Sequence, residues 1–107
     1  MGVIVISAYK PKPGKEQKLI NAVKTHVPIL RSLGMATERN VIAMQAKDGT
    51  ILEVFEWVSP KAIEDAHKNP EVHKMWSEFE KCCEYAKLNS LAETDGLFAE
   101  FTPIKTD

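Results

Sequence analysis

The chain reads as a small α+β domain whose elements follow the order βαββαβ, with an antiparallel sheet carrying helices on one face. Three observations predict this. A short β-branched run opens the chain at Val3–Tyr9, and an Asp48-Gly49 pair sits between two strand patterns. Two stretches with apolar residues at helical spacing flank that hairpin. At 107 residues there is room for one domain, spanning 1–107, and for one core.

The first strand, Val3-Ile4-Val5-Ile6-Ser7-Ala8-Tyr9, is apolar on both faces and needs material packed above and below it. Pro11-Lys12-Pro13-Gly14 turns the chain. From Lys15 to Leu33 the residues Leu19, Ile20, Val23, Val27, Leu30 and Leu33 form a helical stripe, and Gly34 supplies its stop. Pro28 removes a backbone donor and predicts a kink or a restart. Arg39–Ala46 and Ile51–Val58 alternate as the two arms of the hairpin. Ser59 then caps a short helix opened by Pro60 and running through His67. After Asn69-Pro70, a stripe of Val72, Met75, Trp76, Phe79, Cys83 and Ala86 predicts a longer helix. Leu97–Ile104 is the expected final strand. This succession is the ferredoxin-like arrangement.

Composition excludes several classes of partner. Lys and Arg number 14 against 15 acidic residues, a formal charge of -1 with no basic stripe, so neither nucleic acid nor an anionic membrane is an expected partner. The longest apolar run is Val3–Ile6, far short of a membrane span. The chain enters a strand pattern at once, without the look of a signal peptide, and Ile6 stands where a myristoylation site needs Ser or Thr. Cys82 and Cys83 are adjacent, which disfavours both a disulfide between them and a zinc site. A cytoplasmic protein with two reduced thiols is the expectation.

Helices cover one face of such a sheet, yet the strands are apolar on both. Ile4, Ile6, Ile42, Met44, Phe55 and Trp57 alternate against Val3, Val5, Val41, Ala43, Leu52 and Val54. An uncovered face of that kind exceeds what a monomer usually exposes. A second copy packed on the same face would bury it with twofold symmetry, so a homodimer is expected.

Lys12-Pro13-Gly14-Lys15-Glu16 at the first strand-to-helix turn, Gly34 before the second strand, and Glu56-Trp57-Val58-Ser59 followed by Ala62 and His67 carry a resemblance. Together with element order and lengths they make most of the chain similar to the antibiotic biosynthesis monooxygenase-like family. The resemblance implies a dimeric α/β barrel, each monomer holding a cavity between sheet and helices. It also implies, for the oxygenase members, chemistry on electron-rich phenolic substrates without metal, flavin or haem. A deprotonated substrate of that kind gives an electron directly to dioxygen, and the protein supplies an apolar cavity and a positioned base. Counting back from His67 carries the family's acidic residue onto Glu56. The family's aromatic two residues later falls on Val58, whereas this chain has Trp57, and a second histidine lies one position late at His73.

On that footing His67 is the expected base and Glu56 the carboxylate that orients it. Tyr9, Trp76 and Val58 are the expected walls of the substrate cavity. Phe55 and Trp57 alternate to the other face and are assigned to the dimer interface. His26, close to Pro28, and His73 are expected to be surface or satisfied polar groups. No cofactor and no metal are expected, since the three histidines lack ligand spacing, and there is no phosphate loop or nucleophile elbow.

The function expected is base-assisted deprotonation of a small aromatic or enolisable molecule by a cofactor-independent, monooxygenase-like oxidoreductase. Oxygenation and isomerisation share that step. The alternative is a non-catalytic dimer that binds a small hydrophobic ligand, favoured by the displaced aromatic at Trp57. Haem breakdown, found in another branch of the superfamily, uses an asparagine on the first strand and a histidine on the last helix. Here the first asparagine is Asn21, already helical, and the ligand position falls on Trp76, so that chemistry is disfavoured.

Overall fold

A computed structural model describes residues 2–106. Its elements are β1 (Val3–Pro11), α1 (Glu16–Ser32), β2 (Ile42–Gln45), β3 (Ile51–Trp57), α2 (Pro60–Ala66), α3 (Pro70–Cys82), β4 (Cys83–Ala86) and β5 (Thr102–Ile104). The strands form one antiparallel sheet in the order β4-β1-β3-β2-β5. This α+β architecture is compatible with a ferredoxin-like fold, and it carries one strand more than the βαββαβ pattern.

The C-terminal third departs from expectation. The helical stripe stops at Cys82, and Cys83 takes an extended backbone (φ -151, ψ 169) that starts β4 on the outer edge of β1. Four residues are too few for a period of two to compete with the longer helical pattern before them. Of the strand expected at Leu97–Ile104, Thr102–Ile104 forms β5, on the far edge beside β2. Pro103 is tolerated there because an edge strand can spare a donor.

Local signals elsewhere hold. Ser59 accepts a hydrogen bond from the Ala62 N–H at 3.1 Å, the cap that the sequence suggests for α2, and Asn69 caps α3 by accepting from Glu71 and Val72. At the end of α1, Gly34 (φ 73) lets its N–H reach the Arg31 carbonyl while the Met35 N–H reaches Leu30. Those two bonds make a Schellman stop, and Met35 and Leu30 both lie in the core. α1 runs through Pro28 as one helix rather than restarting. Pro28 and Lys24 are exposed, so the carbonyl deprived of a partner faces water. The hairpin closes through a three-residue loop in which Gly49 (φ 96) carries the left-handed turn.

Register decides which side of the sheet is which. Val3 pairs with Trp57, Val5 with Phe55, Ser7 with Glu53 and Tyr9 with Ile51. All eight residues therefore share one face, and α1, α2 and α3 cover it. Phe55 and Trp57 are buried in that core with Leu19, Val23, Leu30, Val72 and Phe79, not at an outer interface as expected from the sequence. Alternation alone leaves the parity of this strand open, because each face of the expected Ile51–Val58 offers three apolar residues and one glutamate. Pairing with β1 settles it, and a one-residue difference moves every side chain of the strand to the other face.

Candidate functional site

Beside the edge of β1, toward the helices, lies an open cavity of about 510 Å3 whose walls include Tyr9, Phe55, Trp57, Trp76, Phe79 and Tyr85. A larger hollow of about 940 Å3 is an open groove between α1 and α3, rimmed by Lys15, Lys18, Lys74 and Lys81. No aromatic ring lines the groove, and its polar lining groups stand in water. Buried polar side chains, Tyr9 and His26, line the first cavity.

There a chain of hydrogen bonds runs inward from the wall. Trp76 Nε1 donates to His26 Nε2 at 3.4 Å, and His26 Nδ1 lies 2.7 Å from Glu53 Oε1. The Tyr9 hydroxyl donates to the same Oε1 at 2.9 Å. An indole N–H can only donate, so His26 Nε2 is an acceptor and the ring proton sits on Nδ1, facing the carboxylate. Glu53 is fully buried, and its second oxygen, Oε2, has no partner among the described residues. Burial and the neighbouring Glu53 charge push the Tyr9 hydroxyl far above its ordinary range, so it remains a donor. Phe79 stacks edge-on against His26 at 5.0 Å and Phe55 at 5.3 Å, which fixes the imidazole plane. A carboxylate on one ring nitrogen and an accepting nitrogen on the other is the arrangement of a general base held in one tautomer.

Both members of this pair have a sequence signal. His26 lies at i+3 from Val23 and i-4 from Leu30, on the apolar stripe of α1, where a surface histidine does not belong. Glu53 alternates with Ile51 and Phe55 on one face of a strand, where a carboxylate must find donors.

The structure does not bring His67 and Glu56 together. Glu56 lies on the uncovered face, where Thr37 donates to Oε1 at 2.9 Å and Arg39 at 3.0 Å. Those two partners hold its carboxyl below the usual range. His67 is on the helix side, exposed, with Nδ1 bonded to the Ile63 carbonyl at 2.7 Å and its ring edge-on to Trp76 at 5.2 Å. It lines the cavity mouth, while His73 Nε2 bonds the His67 carbonyl. Tyr9 and Trp76 line the cavity, whereas Val58 packs against the core and lies outside the lining.

Cys82 and Cys83 are buried and free. Burial pushes the Cys83 thiol up to about 12, and Cys82 shifts in the same direction. At pH 8 Cys83 should react with a disulfide reagent at least about a hundredfold more slowly than in urea, because its thiolate is scarce. Equal rates in the native and unfolded protein would contradict its burial. Among the described residues no cluster of three or more His, Cys, Asp or Glu could hold a metal, and no helix is long and apolar enough to cross a membrane.

Comparisons with protein-family models, with curated proteins and with solved structures find no match to this chain.

Proposed function

We propose that the chain is a cofactor-independent enzyme of the antibiotic biosynthesis monooxygenase-like family, working as a cytoplasmic homodimer on a small, neutral aromatic or enolisable substrate. The observation that carries this reading is the Glu53–His26 pair at the wall of an aromatic cavity. His26 Nε2 takes a proton from an O–H or C–H of the substrate, and Glu53 stabilises the imidazolium that forms. Trp76 holds Nε2 through a long bond of 3.4 Å, weak enough for a substrate to displace, and its N–H can then turn to the new anion. No lysine or arginine lines the cavity, so a substrate entering as an anion would find no counter-charge. The proton left behind on His26 is the compensating charge. In an oxygenase the substrate anion next gives an electron to dioxygen, whereas in an isomerase the proton returns at another carbon. The roles first expected of His67 and Glu56 pass to His26 and Glu53, and His67 stands at the entrance.

A second reading also has an observation behind it. Tyr9, His26 and Glu53 are each less than 5% exposed and bond one another. Such a network also suits a rigid, non-catalytic binder of a hydrophobic ligand.

Titration with a neutral phenol such as 2-naphthol, followed by Trp57 and Trp76 fluorescence, and dioxygen uptake with a panel of phenols and tricyclic enolisable ketones separate the two readings. Saturable quenching with uptake supports the enzyme, and quenching without uptake or isomerised product supports the binder. Absence of both would remove the cavity from either role.

A further inference from the structure

The sheet face away from the helices is built as a step. Its rows run across the strands, Ala8–Leu52–Met44 at one end and Ile6–Val54–Ile42 next to it, with Ile4 and Glu56 beyond. After β4 the chain crosses this face on its way to β5, and Leu91 and Phe101 pack on the first row. A bond from the Lys47 N–H to Glu93 at 2.8 Å pins the crossing to the hairpin. Ala8 and Leu52 are thereby buried, while Ile4, Ile6 and Ile42 remain 55%, 51% and 57% exposed. The crossing segment itself presents Leu97 and Phe98 almost wholly to solvent, at 91% and 82%. Two adjacent large apolar residues left so bare are unusual beside an open apolar floor.

This shape selects its occupant. A flat partner resting on the crossing segment would stand one chain layer above the bare rows and leave them unfilled. A second copy turned about a twofold axis that runs across the strands presents its raised half to the low half of the first. The same contact then forms twice, so the association closes at two. We propose that Leu97 and Phe98 of each copy seat on Ile4, Ile6, Val54 and Ile42 of the other, so that the C-terminal crossing segments interlock. The Glu56–Arg39 ion pair marks the polar rim of that floor. The inference rests on the homodimer proposed above and specifies which segment holds it.

A sedimentation dilution series on the unmutated chain and on a Leu97→Asp/Phe98→Asp variant tests both levels. The unmutated chain should be a dimer at micromolar concentration, and the variant should dissociate at least tenfold more readily with unchanged far-ultraviolet circular dichroism. Both positions are exposed within one chain, so loss of the fold is not expected. Should the variant unfold nonetheless, Phe98→Ser in its place should show the same weakening with less effect. Oxidative cross-linking of Phe98→Cys mixed with Ile6→Cys should join positions 98 and 6 between chains. A dimer whose affinity is unaltered in the variants, or one without the 98–6 link, overturns the interlock and leaves the dimer standing. A monomeric unmutated chain overturns both.

Discussion

Glu53→Leu should cost the fold about 2–5 kcal/mol, because it strands two buried donors at once. His26 Nδ1–H and the Tyr9 hydroxyl both bond Oε1, at 2.7 and 2.9 Å. Leucine matches the volume and the apolar surroundings but accepts nothing. Against the 5–15 kcal/mol that keeps most domains folded, roughly a third of the stability would go. Glu53→Gln is the informative control. Its amide oxygen can take both donors, and its NH2 falls where Oε2 already lacks a partner. The unpaired amide hydrogens cost something, and removal of a buried charge offsets it, so a change within about 1 kcal/mol is expected. Urea unfolding of the three proteins gives the answer. A leucine variant as stable as its parent would mean that the network holds nothing together.

The sequence made the order of the first strands and helices legible because each rests on a local cause. A Pro-Gly turn, an Asp-Gly loop and two N-caps each act within a few residues. What escaped it was decided at long range. β3 has one glutamate on each face, and only its pairing with β1, Val3 against Trp57, shows that Glu53 and not Glu56 lies under the helices. The opposite parity puts Phe55 and Trp57 at an outer interface, and the family resemblance, counted back from His67, puts the carboxylate on Glu56. His26 was legible in principle, since it falls on the stripe with Val23 and Leu30, but beside Pro28 it reads as a surface or satisfied polar group. β4 was hidden because Cys83 and Ala86 continue the helical period of α3. The helix ends there for a tertiary reason, the open edge of β1, which no local pattern records.

If His26 is the base, replacing it should remove most turnover while sparing the fold. His26→Gln keeps a donor toward Glu53 and similar bulk, but it puts no basic nitrogen in the cavity. A loss of about 10²–10⁴-fold in kcat is the size expected for a general base. His26→Ala should lose as much and recover part of it on addition of free imidazole, which a purely structural histidine would not do. Glu53→Gln should retain more activity than either, since the imidazole stays in place while the charge that stabilises its protonated form is gone. Trp76→Phe separates binding from chemistry. It frees Nε2 from its 3.4 Å donor, so it should leave proton abstraction intact and weaken only the stabilisation of the new anion. His67→Ala, at the mouth, should change KM more than kcat. Full activity in a folded His26→Gln would take the base away from His26 and leave the buried network a structural one.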